Sequence, residues 1–252
     1  PGDRSIHKFT VPDPKNDESG EIKRLVERIC KFLLWQQGAS LVGIHSSDGS
    51  NILAKYLSKI YSENGPRAFD ADMMKRAYGT SLVFESLDSC KIEASDKSKA
   101  IGGHLDGCRI GFDLGASDYK LAAVQNGEPV YTTEIPWDPR VESDPDWHRN
   151  KINEGLKLAA EKLPRVDAIG GSSAGIIINS EPRVASLFRS VPDTLFTKKV
   201  RPIFQSLAKE WNVPFEVSND GDVTALAVAM SLKTNGVLGL AMGSSQAVGF
   251  LD

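Results

Sequence analysis

Apolar residues recur at helical spacing through Ile22, Leu25, Val26, Ile29, Phe32 and Leu33, so a helix is expected there, after a polar, loose arm over residues 1–20. Leu41-Val42-Gly43-Ile44-His45 is a short apolar run and predicts a buried strand. Ser46-Ser47-Asp48-Gly49-Ser50 then supplies turn and N-cap chemistry for a helix carrying Leu53, Tyr56, Leu57 and Ile60. A further helix is expected over 71–78 and a strand over 81–85. The serine-rich, charged run 88–99, followed by Gly102-Gly103, breaks the pattern. It predicts a boundary, with a small α/β unit over 1–105 and a second domain over 106–252.

The second section opens with two strand patterns, Arg109–Leu114 and Tyr119–Val124, and Gln125-Asn126-Gly127-Glu128 turns the chain into a third, Pro129–Ile135. An Asn-Gly pair between alternating runs is a strong hairpin signal, because both central residues tolerate positive φ. A proline-rich loop over 136–145 precedes a helix over 147–163, with Ile152, Leu156 and Ala159 on one face. A strand over 166–170, a helix over 198–211, a strand over 214–217 and a helix over 222–232 follow. Strands over 237–242 and 246–251 flank a serine turn. No internal repeat of solenoid length is present.

Composition narrows the classes. A chain of 252 residues can bury a large core, and its net charge of −3 gives no electrostatic footprint for nucleic acid or anionic lipid. No apolar run reaches the roughly 18 residues of a membrane span, and no signal-peptide pattern is expected. Cys30, Cys90 and Cys108 are odd in number and far apart, which predicts buried structural thiols in a reduced, cytoplasmic protein rather than disulfides or a zinc site. A start at Pro1 and an end directly after a β pattern predict a piece of a longer chain.

Three constellations carry candidate chemistry. In Ile110-Gly111-Phe112-Asp113-Leu114-Gly115-Ala116-Ser117-Asp118, a carboxylate at a strand end can hold a hydrated magnesium. The small-residue turn after it lets backbone N–H groups and a hydroxyl approach phosphate oxygens; an ordinary tight turn is the plain alternative. In Val217-Ser218-Asn219-Asp220-Gly221-Asp222, Asp220 or Asp222 caps the following helix, or Asp220 serves as a general base toward an attacking hydroxyl. In Leu240 to Gly249, Gly243-Ser244-Ser245 gathers N–H and hydroxyl donors between two strands, suited to phosphate or to a polar hairpin.

The order of these elements resembles the actin-like ATPase fold, and the motifs resemble those of ROK-family sugar kinases. Asp113-Leu114-Gly115-Ala116-Ser117 is similar to the family's first phosphate motif, Asp-x-Gly-Gly-Thr, and Asp167 to Gly175 stands at its first connecting motif. Pro214 to Asp220, with Ala225 and Ala229 on the next helix, is similar to the catalytic segment, and Gly243-Ser244-Ser245 stands where the family has Gly-Thr-Gly. The resemblance covers residues 109–252. It implies an α/β, ribonuclease H-like (actin-like ATPase) lobe with a mixed sheet, preceded by the small α/β unit. It implies ATP-dependent phosphoryl transfer to a sugar hydroxyl, with ATP and magnesium as cofactors and a sugar and a nucleotide as partners. Asp220 would be the catalytic base, Asn219 and Gly175 would face the sugar, and Asp113 would serve the magnesium. Gly115, Ser117, Gly243, Ser244 and Ser245 would line the phosphates.

Several features depart from that pattern. Ala116 replaces the second glycine, and Ser245 replaces the last glycine of the second phosphate motif. The family's zinc motif and adenosine-binding segment are missing and are expected beyond Asp252, which predicts little activity for this piece alone. The N-terminal section has no counterpart in the simplest relatives and carries no helix-turn-helix pattern of the family's repressors. A sugar- or nucleotide-binding sensor on the same fold, without turnover, is the main alternative, and a scaffold of the actin kind is another; homo-oligomer formation stays open. Gly171-Ser172-Ser173-Ala174-Gly175 also fits the Gly-x-Ser-x-Gly elbow of a serine hydrolase using Ser173. That reading needs a helix after Ser173 and a later histidine, yet Ile176-Ile177-Ile178 follows, and all four histidines precede Ser173.

Overall fold

A computed structural model of the chain describes residues 4–88, 94, 102–243 and 246–251. The chain divides into two compact units, Pro1–Lys99 and Ala100–Asp252. Among the described residues no helix is long and apolar enough to cross a membrane.

In the first unit the helical periodicity over 22–33 forms α1 (Glu21–Gln37), bounded by two glycines in left-handed or open conformations, Gly20 and Gly38. Its first turn is satisfied from outside the helix, because the buried Asp17 carboxylate accepts the N–H groups of Ile22 at 3.2 Å and Lys23 at 3.0 Å. β1 (Leu41–Ile44) runs parallel to β2 (Val83–Ser86), and α2 (Ile52–Ile60) and α3 (Ala68–Tyr78) connect them. Leu34, Leu57, Ile60, Tyr61, Met74 and Cys30 form the core. Burial pushes the Cys30 thiol up to about 11, as befits a packing residue rather than a nucleophile.

The second unit is built on a five-stranded mixed sheet in the order β5-β4-β3-β6-β9. β3 (Cys108–Leu114), β4 (Asp118–Gln125) and β5 (Glu128–Pro136) form an antiparallel meander. Asn126 and Gly127 take φ of 51° and 85° in the β4–β5 turn, as the Asn-Gly pair predicts. β6 (Ala168–Ser173) and β9 (Phe215–Asn219) then add in parallel to β3. Three parallel strands beside an antiparallel meander make the ribonuclease H-like arrangement that the motif order implies.

One face of this sheet carries Ile110, Phe112, Leu114, Ile169, Phe215 and Val217, buried with α4 (Pro145–Ala160) and α6 (Ile203–Trp211). The alternation along β3 is strict, buried at even positions and partly open at odd ones. Gly171 is fixed by this packing: a Cβ there would lie 2.2 Å from the Phe112 ring. Asp144 caps α4 and Pro145 starts it. Fully buried His148 on that helix places its ring nitrogens 2.9 Å from the carbonyls of Asp144 and Pro139.

Two expectations need correction. The strand expected over 166–170 lies at 168–173, which carries it into the glycine-serine run. A hairpin of β7 (Ile176–Ile178) and β8 (Glu181–Val184) follows it. The single helix expected over 198–211 is broken. A one-turn α5 (Asp193–Leu195) passes into a wide-turn segment, Phe196–Val200, and α6 starts only after Pro202, which has no N–H to donate to a continuous helix.

The unit ends with α7 (Asp220–Leu232) and the antiparallel hairpin of β10 (Val237–Met242) and β11 (Gln246–Leu251). Small residues set how closely these pack. Cross-strand partners Gly239 and Gly249 lie under the helix, where a Cβ on either would fall 2.3 Å from Ala225 N or 2.4 Å from Asp222 Cα. Gly221, Ala225 and Ala229 are the buried residues of α7.

Candidate active site at the sheet edge

The parallel trio β3, β6 and β9 ends at one edge of the sheet, and the register there is fixed residue by residue. Asp113 pairs with Ser172 and Ser172 with Ser218; one step on, Leu114 pairs with Ser173 and Ser173 with Asn219. Across the meander, Asp113 pairs with Lys120 and Lys120 with Glu134. A polar row, Glu134–Lys120–Asp113–Ser172–Ser218, therefore crosses all five strands on the face opposite the aromatic core. At about 4.8 Å per strand, the Cα atoms of Asp113 and Ser218 are roughly 10 Å apart. Asp220 begins α7 two residues after Ser218, so Asp113 and Asp220 occupy the same edge.

Asp113 accepts the hydroxyl of Ser172 through Oδ1, and its Oδ2 has no donor among the described residues. A cavity of about 490 Å³ lies against the same face, lined by Gly111, Asp113, Lys120 and Glu134 among others. No cluster of three or more metal-ligating side chains occurs among the described residues. Magnesium held through one or two carboxylates and its own waters needs no such cluster, and the free Oδ2 of Asp113 suits that mode.

Of the two readings of the segment 217–222, helix capping falls to Asn219 and not to either aspartate. Asn219 Oδ1 accepts the N–H of Gly221 at 2.8 Å, while its Nδ2 donates to Gly175 O at 2.8 Å. The side chain thus ties the start of α7 to the loop after β6, leaving one N–H and one lone pair for a ligand. Gly175 has φ of 120°, and a Cβ there would lie 2.3 Å from Val184 O, so no larger residue fits that loop. Asp220 Oδ1 is buried and has no hydrogen-bond partner among the described residues. Burial, and then the charge of Asp220, raise the carboxyl of Asp222 above its ordinary range.

The turn Gly115–Asp118 joins β3 to β4. Gly115 N donates to Asp118 O at 3.0 Å, and Trp137 holds the turn by donating its backbone N–H to Ser117 O and its indole N–H to Gly115 O. Ser117 is exposed, and its hydroxyl donates to Asp118 Oδ2 at 2.8 Å. Lys120 Nζ is 2.7 Å from Asp118 Oδ1. The hydrogen bonds from Lys120 and then Ser117 hold Asp118 below the usual carboxylate range. Gly243 follows β10, with open space where a Cβ would stand; Ser244 and Ser245 lie outside the described residues.

No family model matches the chain, and no curated protein matches it. Solved structures similar to it include a ROK hexokinase from Thermus thermophilus, at 16% identity over 57% of this chain and 46% of that one, with TM-score 0.41. The inorganic polyphosphate/ATP-glucomannokinase of Arthrobacter sp. strain KM is similar at 20% identity, over 57% of each chain, with TM-score 0.43. A ROK family transcriptional regulator, a homolog of the E. coli MLC protein, is similar at 18% identity over 58% of this chain and 37% of that one, with TM-score 0.42. The likeness is one of fold. This chain spans about half the length of the two kinases and less of the regulator.

The elbow reading fails on geometry. Ser173 ends a strand and leads through Ala174-Gly175 into β7, not into a helix, and its fully buried Oγ has no hydrogen-bond partner among the described residues. Sequence reasoning also passed over Ser172, Lys120, Glu134 and Asp118. Ser172 and Lys120 emerge as the register partners of Asp113, Glu134 as the partner of Lys120, and Asp118 two residues before Lys120 on the same strand.

Proposed function

We propose that the second unit is a phosphoryl-transfer lobe that binds ATP with magnesium and delivers the γ-phosphoryl group to a sugar hydroxyl. Asp220 is the general base in this reading, and the observation that carries it is its buried Oδ1, which has no hydrogen-bond partner among the described residues. Leaving a carboxylate oxygen buried and unpaired is costly, and a substrate hydroxyl donating to it would remove that cost. Asn219, and the loop at Gly175 that it holds, flank the same spot and would orient the sugar. Asp113 would hold magnesium through its waters; that ion, when bound, neutralises charge on the phosphates. The turn at Gly115 and Ser117 would line the phosphates, as would Gly243-Ser244-Ser245. Positioning and charge neutralisation supply the catalysis, with little covalent work for the protein.

ADP release from ATP in the presence of hexoses and N-acetylhexosamines, compared between a full-length chain that carries this lobe and its Asp220→Asn variant, tests this reading. Sugar-dependent release that drops about 10²–10⁴-fold in Asp220→Asn is the expected result. Equal turnover by the two proteins removes Asp220 from the role of base. A sensor without turnover is the second reading, favoured by the engagement of the Ser117 hydroxyl with Asp118. Sugar binding without ADP release, measured calorimetrically and weakened in Asn219→Ala, would support it.

A further inference from the structure

The β3–β4 turn has the donors of an anion site and a carboxylate set among them. Trp137 draws the carbonyls of Gly115 and Ser117 inward, and the N–H groups of Ala116 and Ser117 have no acceptor among the described residues. A polyphosphate would be expected to meet those N–H groups, the Ser117 hydroxyl and the Lys120 ammonium. Yet the hydroxyl and the ammonium are each bonded to a different oxygen of Asp118. Lys120 also lies between its register partners Asp113 and Glu134. Three carboxylates thus surround one ammonium. An anion entering alone would face that negative charge with its two best side-chain donors already taken.

We propose that Asp118 is a specificity residue that excludes metal-free polyphosphate from this turn and admits the magnesium complex. Resting on the phosphoryl-transfer reading, this adds a selection step at the same site. A divalent cation on the phosphates offsets the Asp118 charge and frees Ser117 and Lys120 to turn toward the ligand. Asp118 and Lys120 then act in opposite directions on anion affinity, although they form one ion pair. A purely structural role for that pair would make the two substitutions act in the same direction.

The test is isothermal titration of the 252-residue chain with inorganic tripolyphosphate, in EDTA and in excess Mg²⁺, for the unaltered protein, Asp118→Asn and Lys120→Met. Asp118→Asn should bind metal-free tripolyphosphate about tenfold more tightly than the unaltered protein, the size of one close like-charge contact at a partly exposed site. The gap should shrink in Mg²⁺, and Lys120→Met should weaken metal-free binding. Equal affinities of Asp118→Asn and the unaltered protein in EDTA overturn the role of Asp118 and leave the phosphate site standing. Both variants moving together also overturns it. Absence of binding by every protein in both conditions removes the phosphate site itself, and with it the phosphoryl-transfer reading.

Discussion

Ser172 donates its hydroxyl to Asp113, its register partner across the parallel β3–β6 ladder. The bond fixes one oxygen of the carboxylate and leaves the other turned to the open face. Ser172→Ala should therefore keep the fold, at a cost of about 1 kcal/mol, while loosening the orientation of Asp113. We expect magnesium-dependent nucleotide binding, followed by calorimetry, to weaken several-fold, with metal-free binding unchanged. An unchanged magnesium dependence would separate Ser172 from the metal role of Asp113.

Asp222 gives a pH dependence with a definite sign. Packing of the β11 backbone against the first turn of α7, together with the Asp220 charge, raises its carboxyl above the ordinary value of 3.8. Between that value and the raised one, the folded chain holds a proton that the unfolded chain has lost. Stability therefore falls as pH rises through this window, and the loss persists at neutral pH. Asp222 is nevertheless exposed to solvent, which screens the effect, so Asp222→Asn should raise the thermal midpoint at pH 7 only slightly and leave it nearly unchanged near pH 3. A midpoint shift of equal size at both pH values would assign the effect to packing instead of ionisation.

The β4–β5 hairpin was legible because the Asn126-Gly127 turn between two strand patterns admits little else, whereas the mixed sheet was expected only through the resemblance of the motifs. Asp113 drew notice because it interrupts an apolar strand, and Asp220 because it opens a helix directly after one. The cap of α7 was not legible in the same way: Asn219, Asp220 and Asp222 are all good capping residues, and only the fold shows that Asn219 takes the Gly221 N–H. Asp17 was hidden for a related reason, since it satisfies α1 from beyond the local cap position. The polar row was hidden because it depends on register between strands far apart in sequence. Ser172 lies 59 residues from Asp113, and no periodicity within one strand reports on that pairing. Pro202 was a readable break in the 198–211 helix, outweighed by the apolar spacing around it.

The close seat of α7 on the β10–β11 hairpin gives a prediction about stability rather than chemistry. Gly249 is not in a left-handed conformation, so its role is room for the helix: an added Cβ would fall 2.4 Å from both Asp222 Cα and Asp222 N. The obstructing atoms are backbone and have no rotamer by which to move aside. Gly249→Ala should therefore push the hairpin off the helix and cost about 1–3 kcal/mol, read as a lower thermal midpoint. Gly243 serves as the control, because open space surrounds the same position there. Gly243→Ala should leave the midpoint within about 0.5 kcal/mol of the unaltered protein. If the two substitutions cost the same, the loss is one of turn flexibility, and the close approach of Gly249 to the helix is not what holds α7 against the hairpin.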